Sequence, residues 1–191
     1  MKITTDNKQF KQATVSLQFV ERNIPKAYAA TLNRVGSGLK TEASRQLRKT
    51  YDIKHKDIIG LGNIKVTKAN GSKLQMLLTS KGRNIPLIRF RVSPSKPSAR
   101  APAIGARVSV KKSGGKRIPG AFVQQMPSGH LGVFRRASKQ RLPVDQLYGP
   151  AVPVMLNEPG VAEHLQEEAQ KRIATRLDHE VNRVLGRLKT T

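Results

Sequence analysis

Residues 58 to 144 hold 18 lysines and arginines and no aspartate or glutamate. Whatever this stretch folds into must turn its charge outward, because it has no carboxylate of its own to pair with a buried cation. A surface charged in this way repels itself unless something anionic faces it. Over the whole chain 36 basic residues stand against 12 acidic ones, a formal net charge of +24. From Glu158 onward six acids meet six bases. The excess therefore lies mainly in the middle, with a smaller share on the N-terminal helical segment, and it points to nucleic acid or another polyanion.

The same stretch reads as β-structure. Arg107-Val108-Ser109-Val110-Lys111-Lys112 alternates apolar and charged residues with period two, and Gly114-Gly115 supplies a turn. The run Lys116-Arg117-Ile118-Pro119-Gly120-Ala121-Phe122-Val123-Gln124-Gln125 follows, with a Pro-Gly corner inside it. After a second turn at Pro127-Ser128-Gly129 comes Leu131-Gly132-Val133-Phe134-Arg135-Arg136, so residues 107 to 136 predict a three-strand antiparallel meander. Upstream, residues 64–68 and 73–79 predict a hairpin across Asn70-Gly71. Residues 85–92 predict a further strand, Phe90 and Val92 inward and Arg89 and Arg91 outward. All these strands are expected to complete one mainly antiparallel sheet. Between them, the Pro/Ser-rich residues 93–106 are expected to form a flexible loop or arm. Residues 142–153 are too rich in proline for an interior strand.

Helices flank the sheet. A short helix is expected over Asp6 to Val20. A longer one is expected from an Asn23 N-cap and Pro25 to Thr50, with Tyr28, Leu32, Val35, Leu39, Ala43 and Leu47 at helical spacing. Gly36 and Gly38 inside it predict a bend or a close approach. A short helical turn or a second small helix is expected over residues 51–59, ended by Gly60-Leu61-Gly62-Asn63. The last begins at Asn157-Glu158-Pro159, with Val161, Leu165, Ala169, Ile173, Leu177, Val181, Val184 or Leu185, and Leu188 as its apolar stripe. Glu167, Glu168, Lys171, Arg172, Arg176 and Glu180 lie opposite. The fold class is α+β, with long N-terminal and C-terminal helices packed on a mainly antiparallel β-sheet, and 191 residues predict one domain, 1–191.

The chain has no cysteine, which removes disulfides and thiolate metal sites and suits a reducing compartment. No apolar run approaches the roughly 20 residues of a membrane span, and the N-terminus lacks a signal-peptide core, so no membrane association is expected. His55, His130, His164 and His179 fall in no metal-binding spacing, and neither a P-loop nor a nucleophile elbow occurs. A two-metal nuclease needs clustered carboxylates, which the central stretch lacks. The expectation is a protein without catalytic residues, metal or cofactor. Aromatic residues are 4% of the chain; Phe90, Phe122 and Phe134 read as core, so any contact with DNA is expected through phosphates. Asp145, isolated among basic residues, reads either as a turn-capping carboxylate or as the partner of an arginine.

Two segments, Arg117-Ile118-Pro119-Gly120-Ala121-Phe122 and Leu142-Pro143-Val144-Asp145 with Gly149, Pro150, Val152 and Pro153, resemble the minor tail protein Z family of long-tailed bacteriophages, the tail completion proteins. The order of a Pro-started helix, a basic centre and a helical C-terminus extends the resemblance over most of the chain. The family's motifs are not catalytic signatures. What the resemblance implies is a structural virion protein, made in the bacterial cytoplasm and placed at the head-proximal end of a tail. There it would serve tail maturation, head-tail joining and positioning of the genome end. The implied partners are the tail terminator, tail tube and connector, genomic DNA in the channel, and further copies in a homo-oligomeric ring. Arg83, Arg89, Arg91, Lys111, Lys112, Lys116, Arg117, Arg135 and Arg136 are the candidates for contact with phosphate or an acidic partner. The alternative is a sequence-independent nucleic-acid-binding module outside any virion, which would bind duplex DNA as a monomer with steep salt dependence.

Overall fold

The structure, a computed structural model, describes residues 7–97 and 105–188. Asp6 and most of the expected arm, residues 98–104, lie outside the described residues. The fold is α+β, as expected, and the chain groups into two compact units. The first comprises Met1–Lys40, Val66–Leu78 and Leu165–Thr191, and the second Thr41–Lys65 and Thr79–His164.

The two helices expected before residue 50 are one. Helix α1 runs Asn7–Thr50 over 44 residues with Pro25 inside it, a rod of about 66 Å. Proline there leaves the carbonyl four residues back without its donor and costs about 3 kcal/mol. The helix persists because packing, not propensity, holds it: Ala27, Leu32, Val35, Leu39, Ala43 and Leu47 are all buried. Asn23 is therefore no cap; its amide donates back to the Phe19 carbonyl at 2.8 Å.

In the first unit α1 packs against the C-terminal helix α4, Val161–Leu188. Ala29, Leu32 and Ala69 form a core on which Tyr28, Met76 and Ile173 pack. Asn33 clamps Ala69, donating to its carbonyl at 2.9 Å and accepting from its N–H at 2.8 Å. Gly36 is a close approach: a Cβ there would lie 2.8 Å from Val66 Cγ1. On α4, Glu180 departs from its expected outer face, being buried beside Arg183 at 2.7 Å.

The strands form four small antiparallel sheets instead of one. Strands β1 (Ile64–Thr67) and β2 (Leu77–Ser80) pair as predicted, through a longer loop. In that loop Asn70 Oδ1 accepts from the backbone of Ser72 and Lys73, a side-chain-built turn. The strand expected over 85–92 breaks in two. Its first part is β3 (Asn84–Pro86), then a 3₁₀ turn at Leu87–Arg89, then β4 (Arg91–Ser93). Its burial alternation is as read, Phe90 and Val92 inside and Arg89 and Arg91 outside.

The expected meander divides at Pro119-Gly120. Strands β5 (Ala106–Lys111) and β6 (Gly114–Ile118) join β4, whereas β7 (Ala121–Gln125) and β8 (Leu131–Arg136) join β9 (Val144–Gln146). Gly120, at φ +70, supplies the left-handed corner that takes the chain out of one sheet into the next. Strand β10 (Tyr148–Ala151) pairs with β3, and Pro150 falls at the irregularity between Gly149 and Ala151, where a ladder donor is not needed. Around Thr41–Lys65 the second unit adds helix α2 (His55–Gly62), and before α4 the short helix α3 (Val152–Leu156). Leu47, Ile58, Ile85, Val133, Val152 and Met155 are fully buried in this unit. Among the described residues no helix is long and apolar enough to cross a membrane.

Candidate functional site

All nine candidate cations lie in the second unit, and all are exposed. This unit carries 21 basic and six acidic residues, an excess of 15. Strand pairing sets where the charge goes. In sheet β4–β5–β6, Arg107 stands directly opposite Arg117, and Ser93 opposite Arg107 on the other side. Residues opposite one another share a face, so two exposed arginines stand side by side on the solvent side of this sheet. Its other face buries Val92, Ala106 and Val108.

Three candidates reach carboxylates supplied from outside the acid-free stretch. Arg89 Nη1 lies 3.5 Å from Asp57 on α2, and Arg91 Nη1 lies 4.0 Å from Asp52. Lys111 Nζ donates to Glu158, which also accepts from the Tyr51 hydroxyl. Hydrogen bonds from Lys111 first, then from Tyr51, and the lysine charge hold the Glu158 carboxyl below the usual glutamate range. Burial, then the hydrogen bond to Glu158 and its charge, push the Tyr51 hydroxyl up. Arg83, Lys112, Lys116, Arg117, Arg135 and Arg136 have no carboxylate within ion-pair distance among the described residues.

Asp145 does not cap a turn. It is exposed in β9, directly opposite Arg135 on β8. The motif residues are joints of the fold. Arg117 and Ile118 end β6, Pro119 and Gly120 make the corner, and Ala121 and Phe122 begin β7. Leu142 and Pro143 lead into Val144 and Asp145 of β9, Gly149 and Pro150 lie in β10, and Val152 and Pro153 open α3. Gly149 is required by packing, because a Cβ there would sit 2.8 Å from the Phe90 ring.

The end of α1 and the start of α2 meet β4 at a cleft of about 520 Å³. Arg48, Lys54, His55, Arg89, Arg91 and Lys112 line it, with Asp52 as its one acid. Reading the sequence alone missed Arg48 and Lys54 as site residues, since only the fold brings the last turn of α1 to the strand that carries Arg91. Arg107 was legible as an outward residue of an alternating strand but not as the neighbour of Arg117. Among the described residues, no three His, Asp or Glu side chains gather in a way that could hold a metal ion.

An α+β scaffold whose two motif segments form strand ends and the corners between them, and whose one chemical theme is exposed cationic charge, has the makings of an assembly component. Comparison with known proteins agrees: residues 8–191 match the family model of prophage minor tail protein Z, and the chain belongs to that family. It is 28% identical over 191 residues to the tail completion protein Z of Escherichia phage lambda, covering 94% of this chain and 98% of the relative. To the tail completion protein of Escherichia phage N15 it is 27% identical over 139 residues, 72% of this chain and 74% of the relative. No solved structure matches. The chain is thus a structural phage tail protein of the tail-completion family and not an enzyme.

Proposed function

We propose that this protein completes the tail at its head-proximal end. There it supports tail maturation, head-tail joining and positioning of the genome end, with its cationic residues meeting DNA through phosphates. The observation that carries the reading is the pairing of Arg107 with Arg117 across two strands, within a unit that has 21 basic and six acidic residues. Like charges placed opposite one another cost stability, and an anionic surface brought against them offsets that cost. A channel occupied by DNA needs such a lining and no reactive group. Further copies in a ring, the tail terminator, the tail tube and the connector are the partners this role entails, with the whole chain acting as one tail-completion domain. The residues expected at the contact are Arg83, Arg89, Arg91, Lys111, Lys112, Lys116, Arg117, Arg135 and Arg136.

Imaging assembled tails that carry a labelled copy of this protein tests the position. A label confined to the head-proximal tip is the expected result. A label at the opposite tip, or spread along DNA outside particles, overturns it.

A further inference from the structure

The cationic side chains of the second unit are not spread evenly, because the cleft at the end of α1 concentrates several of them in one concavity. We propose that this cleft is a discrete phosphate-binding site, through which a nucleic-acid backbone docks. The inference deepens the reading that the protein meets DNA, and rests on it.

Three arginines, Arg48, Arg89 and Arg91, and two lysines, Lys54 and Lys112, line the cleft together. The volume, about 520 Å³, falls in the range of small-ligand pockets. Two of the arginines have a carboxylate nearby: the buried Asp57 lies 3.5 Å from Arg89 Nη1, and Asp52, in the cleft wall, lies 4.0 Å from Arg91 Nη1. A carboxylate uses only part of the five N–H donors of an arginine, so each fork keeps donors for a second anion. Arg48, Lys54 and Lys112 have no carboxylate within ion-pair distance among the described residues. Their charge is uncompensated by the protein itself.

The wall chemistry argues for phosphate and against a base. Tyr51 and Phe90, which line the cleft, are 4% and 5% exposed, so their rings are spent on the core and offer no face for stacking; the His55 imidazole is the one exposed ring of the lining, and its Nδ1 is hydrogen-bonded to Ser44. A lining of three arginines and two lysines with no exposed tyrosine or phenylalanine ring matches the tetrahedral, multiply charged oxygens of a phosphate, a contact that carries no sequence information. One phosphate class has two sources here, the backbone of DNA and a free oligophosphate, and the binding assay separates them.

The full-length chain is titrated with a short DNA duplex of mixed sequence, followed by fluorescence anisotropy across a salt series, and with inorganic pyrophosphate by calorimetry. Three proteins are compared: the parent, Arg48→Gln/Lys112→Gln in the cleft, and Lys139→Gln/Arg141→Gln outside it. Each pair removes two exposed charges, so general electrostatics are matched. The cleft pair is expected to weaken duplex binding by about tenfold or more and to reduce the salt slope by about two units. The outside pair is expected to change affinity by less than about threefold. Pyrophosphate that binds the parent and displaces the duplex marks the shared site, and pyrophosphate binding without duplex binding assigns it to a free oligophosphate. Equal losses from both pairs, or no binding of either probe, overturn the proposal. Neither of those results bears on where the protein sits in the tail.

Discussion

In the sheet β7–β8–β9, Arg135 stands opposite Asp145, whereas in β4–β5–β6 Arg107 stands opposite Arg117. The two sheets follow one another in sequence, are equally small, and share the corner at Pro119-Gly120. The second sheet has a carboxylate of its own. The first borrows two, Asp52 for Arg91 and Glu158 for Lys111, from the segments that follow α1 and precede α4. One sheet is thus close to self-sufficient, while the other depends on helix-end segments and still exposes uncompensated cations. Where stability alone matters, opposite charges at facing strand positions serve; where like charges face each other, something besides stability sets the sequence.

If the second sheet is the self-sufficient one, its interior should dominate its stability. Phe134 is buried beside Phe122, with ring centroids 6.3 Å apart, and beside His130 at 6.4 Å. Phe134→Ala is expected to destabilise the protein by about 3–5 kcal/mol, measured by urea unfolding. A loss under about 1 kcal/mol would show that this sheet does not anchor the unit. The first sheet has a corresponding weak point in its backbone. Gly105, at φ +81, enters β5 so close to the carbonyl of Ile118 on β6 that any Cβ would collide with it. Gly105→Ala is expected to cost about 2–4 kcal/mol through left-handed strain and overpacking, measured in the same assay.

The borrowed carboxylates make the first sheet the acid-sensitive one. Glu158 has its carboxyl held low in the folded chain by Lys111 and Tyr51. It therefore contributes stability above the ordinary glutamate value of about 4.3, and that contribution is lost as pH falls through its lowered folded value. Tyr51 runs the other way. Its raised folded value means that stability is complete below about pH 10 and is lost as pH rises beyond it. Glu158→Gln is expected to be less stable than the parent at neutral pH and to lose less on acidification, so the two unfolding curves converge toward about pH 3. Parallel curves from neutral to acid pH would mean that the borrowed charge contributes nothing.

The contrast between the sheets was only partly legible in the sequence. Period-two alternation revealed that Phe90 and Val92 point in and Arg89 and Arg91 out, because that choice is made within one strand. It could not reveal strand partners. Pro119-Gly120 reads as a turn inside a meander, yet whether a turn returns a strand to its neighbour or sends it to a new sheet depends on packing far away in sequence. The same distance hides Glu158 from Lys111 and Asp57 from Arg89. Pro25 misled in the other direction: local rules end a helix there, and the buried stripe from Ala27 to Leu47 overrides them. For the candidate site, charge composition located the exposed cations in the middle of the chain, while the cleft needed the end of α1 brought beside β4.

The smallest expected effects test the comparison most directly, because they change its two cross-strand pairs and little else. Arg117→Glu turns the like-charge pair into an opposite-charge one, and is expected to raise stability by up to about 1 kcal/mol. Asp145→Asn removes the opposite-charge pair of the other sheet, and is expected to lower stability by a similar or smaller amount. Both residues are exposed, so both differences should shrink as salt is added and screening shortens to about 10 Å at 0.1 M. Thermal unfolding at low and high salt reads both. The decisive part is the sign in Arg117→Glu: a gain in stability combined with weaker duplex binding shows that the arginine is kept for what it touches. If Arg117→Glu instead destabilises the chain, the facing arginines are held in place by contacts that favour them, and the two sheets do not differ in the way their registers suggest.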